Sequence, residues 1–329
     1  MRNLQYRSDI DGLRAIAILS VLAFHAFPGR FEGGYIGVDI FFVISGFLIS
    51  NIIVAGIEEN RFSFIEFYSR RVKRIFPALV LVLLATYGLG WFVLLSAEYE
   101  QLGKHISGGA VFISNLVLWS DHGYFDSAAV SKPLLHLWSL GIEEQFYIVW
   151  PLLLSVLLRS RLNFLTVTIC IAISSFLLNI FVSIDDVVAA FYSPQTRVWE
   201  LLIGAVLAYS SRHYRCSLGK VYLGQSWPDQ KTNRCLSDLQ SVVGVGMIGA
   251  AFFILTPESR YPGWWALLPT VGTALLILAG TEAWINRVFL SSRILVWFGL
   301  ISYPLYLWHW PIFSFANINR NGYNRSSFY

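Results

Sequence analysis

The sequence predicts an all-α protein: a polytopic transmembrane helical bundle of about nine spanning helices plus one re-entrant or interfacial segment. Three observations carry this expectation. Of 329 residues, 56% are hydrophobic and 13% charged, where a soluble domain carries about one quarter charged residues. Apolar runs long enough to cross a hydrocarbon layer of about 30 Å recur along nearly the whole chain. Aromatic residues make up 16%, twelve Trp among them, which suits rings gathered at two headgroup layers.

The apolar runs fall near residues 12–29, 36–56, 76–96, 140–158, 163–183, 189–210, 239–256, 264–281 and 294–315. A tenth, 103–119, is Gly-rich and shorter, and whether it crosses sets the sidedness of everything after it. Cytoplasmic loops hold the excess of Lys and Arg. If 103–119 does not cross, sixteen basic residues lie on the cytoplasmic side and seven outside; if it does, the split is twelve to eleven. The first arrangement keeps the bias. It puts the N-terminus and the loop at about 211–238 in the cytoplasm, and 97–138 outside. Residues 1–315 then form one membrane-embedded unit, and 316–329 read as a polar C-terminal tail. The runs show no inverted repeat of the kind that marks many transporters.

Charge and cysteine content narrow the chemistry. The net charge of +4 sits in loop lysines and arginines, which points to membrane lipids and not to nucleic acid as partner. Cys170, Cys216 and Cys235 have no metal or redox spacing. No metal site is expected.

Ionisable residues inside apolar runs are costly and are functional candidates by default. In "LRAIAILSVLAFHAF", Arg14 and His25 are eleven residues apart, about three helical turns, so they share a face some 16 Å apart along the axis. Asp11 lies on the same face within pairing reach of Arg14. An uncharged imidazole can accept a proton, which suits a general base. The plainer alternatives are Arg14 snorkelling to headgroups and His25 bonding a neighbouring helix. Asp39, on the next run, is a candidate to orient His25, or else an interfacial carboxylate.

Two further stretches carry charge. In "FYSRRVKRIFPALV", Arg71 and Arg74 are three apart and face one way on a helix. Guanidinium forks bind phosphate oxygens bidentately, so this pair, with Lys73, suits a phosphate clamp; topology-setting and lipid contact are the alternatives. In "LLHLWSLGIEEQFYIVWPLLL", Glu143 and Glu144 stand where an outer loop enters a helix. They either gain from the helix dipole or serve an outward-facing site, and about 100° of rotation per residue predicts that one of the two faces any shared cavity. Arg197 and Glu200, at i and i+3, are positioned to pair. His309, between Trp308 and Trp310, ranks below His25.

Together "YRSDIDGLRAIAILSVLAFHAF", "GGYIGVDIFFVISGFLI", "FYSRRVKRIFPAL", "LLHLWSLGIEEQFYIVWPLLL" and "ISYPLYLWHWP" resemble the acyltransferase-3 family of integral-membrane acyltransferases. The match is nearest to bacterial members that O-acetylate surface polysaccharides, often fused to an SGNH-hydrolase-like domain. The resemblance implies an inner-membrane enzyme, with no permanently bound cofactor. It would move an acyl group, usually acetyl, from cytoplasmic acyl-CoA to an extracytoplasmic glycan such as lipopolysaccharide O-antigen. The family's Arg-x10-His motif falls on Arg14 and His25, and its Arg-x-x-Arg motif on Arg71 and Arg74. His25 is then the base or a transient acyl carrier, Arg14 a charge stabiliser, and Glu143 or Glu144 a group that places the acceptor. Members carry a further helix after "YLWHWP", so the chain reads as truncated. An inactive remnant, and a transporter of small anions or lipid-linked sugars, are the rival expectations.

The sidedness is testable. Reporter fusions at residue 130 are expected to read outside and fusions within 211–238 to read cytoplasm; a cytoplasmic signal at residue 130 overturns the assignment.

Overall fold

The computed structural model describes residues 6–27, 29–121, 131–160, 162–213, 230–256 and 258–325, with side chains at 230–233 and 321–325 not described. All the regular structure among these residues is helical. Five described helical stretches are long and apolar enough to cross a membrane: Glu32–Glu58, Phe64–Val93, Leu137–Arg159, Phe164–Asp185 and Arg234–Ile254.

α1 (Ser8–Ala26) has the length to span but carries Asp9, Asp11 and Arg14 in its first half. It remains buried because these charges are paired. Arg7 donates to Asp9 at 2.7 and 2.8 Å, Asn286 donates to Asp9 at 3.0 Å, and Arg14 donates to Asp11 at 3.4 Å. A 3-10 turn, Glu32–Ile36, leads into α2 (Gly37–Glu58). α3 (Phe64–Val93) begins where the Ser63 hydroxyl accepts the Glu66 backbone N–H, the usual way of satisfying an orphan donor at a helix start. It starts twelve residues before the apolar run, so Arg71 and Arg74 ride on a regular helix.

The segment 103–119 is not one helix. α4 (Ser96–Ala110) and α5 (Ser114–Ser120) have 15 and 7 residues and are separated by a bend at Val111–Ile113, where Phe112 has φ 60°. At 1.5 Å per residue neither reaches 30 Å. His105 and Gln101 of α4 both bond the Asp121 carboxylate just beyond α5, at 2.9 and 3.3 Å, and so tie the bend together.

After α6 (Leu137–Arg159) and α7 (Phe164–Asp185), the run at 189–210 divides into α8 (Val187–Tyr192) and α9 (Pro194–His213). Pro194 supplies no N–H, and so fits at the first position of the second helix. α10 (Gln230–Ile254) and α11 (Leu267–Ala279) form a hairpin. The 294–315 run also divides, into α12 (Arg293–Leu300), packed on α1, and α13 (Ser302–Arg325). α13 continues through residues 316–325, so most of the expected polar tail is helical. The 211–238 loop falls largely on 214–229, outside the described residues.

α2 is the centre of the bundle and meets α9 over its most extensive contact. The two backbones nearly touch. A Cβ at Gly46 would stand 1.8 Å from the Leu201 carbonyl oxygen, and one at Gly204 would stand 2.2 Å from that of Val43. Small residues let membrane helices approach this closely, and dispersion contacts then replace the missing hydrophobic drive between helices.

Gly46→Ala is therefore expected to force α2 and α9 apart and cost about 1–3 kcal/mol. Gly88→Ala, where nothing lies within 4 Å of the added carbon, provides the comparison. Thermal unfolding in detergent checks this, and equal Tm values for the two variants overturn it.

Candidate active site

α2, α3, α6 and α13 enclose a cavity of about 290 Å³, and α1 adds Arg14 to its wall. The lining from α2 runs from Val38 to Ile52, fourteen residues or about 21 Å of helix. The cavity is thus elongated along α2. Arg14, Arg71, Arg74, Glu143 and Glu144 all line it, with hydroxyls from two serines of α2 and α6, Ser302 and three tyrosines, Tyr147, Tyr303 and Tyr306. The remaining wall is aliphatic and aromatic. A long ligand with an anionic end and a less polar arm is the chemical class that matches these walls.

The spacing of Arg71 and Arg74 does what i, i+3 requires, and both reach the cavity. Arg71 stands over the Tyr147 ring at 5.0 Å. Lys73 does not join them: it is exposed and lies off the lining. Two residues of helix carry it about 200° round from Arg71, which is the physical reason. Arg70 is likewise outside, paired with Glu66.

Glu143 and Glu144 sit in the second turn of α6, clear of its first-turn N–H groups. Both face the cavity, against the expectation that one would. The cavity wraps around the helix broadly enough to take side chains 100° apart. Glu143 is held by hydrogen bonds from Ser45 and Tyr147. Glu144 is 7% exposed.

His25 lies beyond the cavity wall, in a cluster that the sequence did not bring together. Its ring is 5.2 Å from that of His309 and 4.4 Å from that of Trp310. His309 is in turn 5.4 Å from His136. Tyr306 is the partition. It lines the cavity, its hydroxyl bonds Ser139 Oγ at 2.5 Å and donates to the His136 carbonyl at 2.9 Å, and its ring is 5.4 Å from His309. Tyr306 carried no separate signal; its position one turn before His309 in "YPLYLWHWP" is the trace it leaves in the sequence.

Asp39 is elsewhere. It is fully buried, with one carboxylate oxygen 3.1 Å from the Arg197 guanidinium, which also reaches Glu200 at 3.2 Å. The rings of Phe42, Trp138, Phe191 and Tyr261 surround Arg197 at 5.6–5.7 Å. Asp39 therefore answers a cation of α9 and does not orient His25. A fully buried carboxylate without a cation costs several kcal/mol, and Arg197 is the nearby positive charge that meets this demand.

A family model described as "Acyltransferase domain" matches residues 7–319. The chain is 31% identical to the peptidoglycan O-acetyltransferase of Listeria monocytogenes over 94% of its own length and 49% of that protein's. It is 29% identical to an O-acetyltransferase of Staphylococcus aureus over 95% of its length and 51% of that protein's. The chain thus spans about half the length of the curated relatives it matches. No solved structure matches it.

Removing Arg197 leaves two buried carboxylates facing one another without a counter-charge. Arg197→Met is expected to cost about 3–5 kcal/mol and to lower the yield of folded protein, read as a monodisperse peak after detergent extraction. Asp39→Asn, which leaves Glu200 to pair with the guanidinium, is expected to cost less; the reverse order overturns the assignment.

Proposed function

The chain belongs to the acyltransferase family that this match defines, and on that premise we propose that it is a membrane O-acyltransferase carrying an acyl group, acetyl in the simplest case, from cytoplasmic acyl-CoA to a hydroxyl of an extracytoplasmic glycan. The observation that supports the reading most is the elongated cavity with three guanidinium groups on its wall, separated from an imidazole cluster by one tyrosine.

Arg71 and Arg74 hold the donor's phosphates by forked hydrogen bonds, and the pantetheine arm follows the apolar wall of α2. Arg14 belongs with the donor. It stands about 16 Å from His25 along a shared helix, too far for both side chains to act on one carbonyl. His25 takes the proton of the acceptor hydroxyl as that oxygen attacks the thioester carbon. The C–S bond breaks, and the proton ends on the departing CoA thiolate. The reaction neither consumes nor releases a net proton. Glu143, fixed by Ser45 and Tyr147, and Glu144 shape the wall facing the arm. Lipopolysaccharide O-antigen is one acceptor of this class; peptidoglycan, in the name of the Listeria relative, is another. The membrane is the bacterial inner membrane, with the N-terminus cytoplasmic.

His25→Ala is expected to abolish transfer, a loss of about 10²–10⁴-fold, while protein stays in the membrane. Arg71→Ala with Arg74→Ala is expected to raise the KM for acetyl-CoA at least tenfold and change kcat little. Label from [14C]acetyl-CoA in inside-out vesicles, followed into isolated glycan, measures both. Label crossing as intact solute favours a carrier; unaltered transfer by His25→Ala ends the proposal.

A further inference from the structure

His309 is 6% exposed and carries one ring nitrogen that is spoken for and one that is not. Its Nδ1 lies 2.6 Å from the Tyr306 carbonyl oxygen. A carbonyl only accepts, so Nδ1 carries the hydrogen, and in the neutral ring Nε2 is then a bare lone pair. That lone pair is buried and bonded to nothing among the described residues. On the neighbouring helix, His25 has a matching vacancy: its Nδ1 is buried without a hydrogen-bond partner, while its Nε2 is not among the buried orphans. The Val21 carbonyl one turn back lies close to the His25 ring and is the competing acceptor for its N–H, but no well-formed hydrogen bond joins it to Nδ1. The two ring centroids are 5.2 Å apart, with planes inclined at 32°. Two ring radii plus an N–H···N contact of about 2.9 Å span that separation.

We propose that His309 is the positioning residue for His25: its Nε2 accepts the Nδ1–H of His25 in the working enzyme, which leaves His25 Nε2 as the base that meets the acceptor hydroxyl. The inference rests on the acyl-transfer reading given above and deepens it.

The chain of bonds runs from the Tyr306 carbonyl through His309 to His25, and each link fixes the tautomer of the next. When His25 Nε2 takes the hydroxyl proton, its positive charge is shared along a hydrogen bond that already points the right way. When the CoA thiolate leaves, the proton returns to sulfur and the chain resets. A second imidazole in this place orients the base without putting a permanent charge beside the thioester. Catalytic hydrogen bonds are often long in an empty site and close in the loaded one, and the bond between the two rings is one that closes in the loaded site. The groups facing the His309 ring are His25 from α1, His136 ahead of α6 and Tyr306 from α13. Trp310, which packs on His25, is itself pinned through Nε1 to the Lys132 carbonyl at 2.8 Å. Rings held in this way keep the cluster from collapsing into the cavity.

The chain has six histidines, few enough for direct observation. In the full chain labelled with 15N-histidine and held in lipid nanodiscs, His25 and His309 are both expected as the Nδ1–H tautomer, each assigned by the signal lost on its own replacement. His309→Asn keeps a donor for the Tyr306 carbonyl and puts nothing at Nε2, so the His25 signals are expected to shift towards a mixture of tautomers. His309→Gln puts an accepting oxygen at the Nε2 position and is expected to restore them. Thiol release from acetyl-CoA with a chito-oligosaccharide acceptor gives the kinetic arm. His309→Asn should lower kcat about a hundredfold with KM for acetyl-CoA within twofold, and His309→Gln should recover at least tenfold. His25 found as the Nε2–H tautomer in the parent chain, or His25 signals unmoved by His309→Asn, overturns the inference. So does a kcat within threefold of the parent. No thiol release from the parent chain with the expected tautomers present counts instead against the acyl-CoA reading, while the histidine pairing stands.

Discussion

Everything in this molecule is hung on the contact between α2 and α9. Two backbones at glycine distance and one guanidinium shared by two buried carboxylates make that contact specific in register, as well as close. Dispersion alone would let two apolar helices slide, because lipid tails are as apolar as leucine. An ion triad cannot slide. A shift of one turn, about 5.4 Å, would leave charges unpaired in the interior. With α2 fixed in this way, its opposite face can be given over to a cavity, and Val38 to Ile52 can line it.

That arrangement explains what could and could not be read along the chain. Arg14, Arg71, Arg74, Glu143 and Glu144 announce themselves, because an ionisable residue in or beside an apolar run is expensive and its helical spacing fixes its face. The structure brings those five to one wall. The partner of Asp39 could not be read, because Arg197 is more than 150 residues away and charges at i and i+3 pointed it to Glu200 alone. The apolar runs also pass over the helix breaks at Val111–Ile113, Ser193 and Ile301. Apolar residues resume within a few positions of each break, so the flanking runs read as continuous although Pro194 and Pro304 stand just after two of the breaks. Lys73 failed for a simpler reason. Its charge matched the arginines while its helical phase did not.

The proposed reaction needs its two ends kept apart. Phosphates carry charge that wants guanidinium groups and water, whereas a thioester under attack is served by a dry site with a fixed base. One helix, α1, carries a representative of each end: Arg14 in its first half and His25 in its last turn. Tyr306 and Ser139 stand between them, hydrogen-bonded to each other and to the backbone at His136. A wall made of two hydroxyls passes a narrow, amide-containing arm better than an apolar wall would, because it can exchange its internal hydrogen bonds for bonds to the arm.

The carboxylates in a cavity proposed to take an anion look out of place until the empty state is considered. Three guanidinium groups facing one another without a ligand would repel at low dielectric and draw anionic headgroups in from the membrane. Glu143, locked by Ser45 and Tyr147, answers part of that charge with a carboxylate that cannot swing away. Arg71 meanwhile stands over the Tyr147 ring. The same tyrosine therefore fixes one anion through its hydroxyl and one cation through its face. In the proposed donor site a phosphate arriving at Arg71 meets a guanidinium already placed over a ring, which lowers the ordering that binding requires. On this view Glu143 and Tyr147 are the frame of the proposed donor site, and their geometry precedes any ligand.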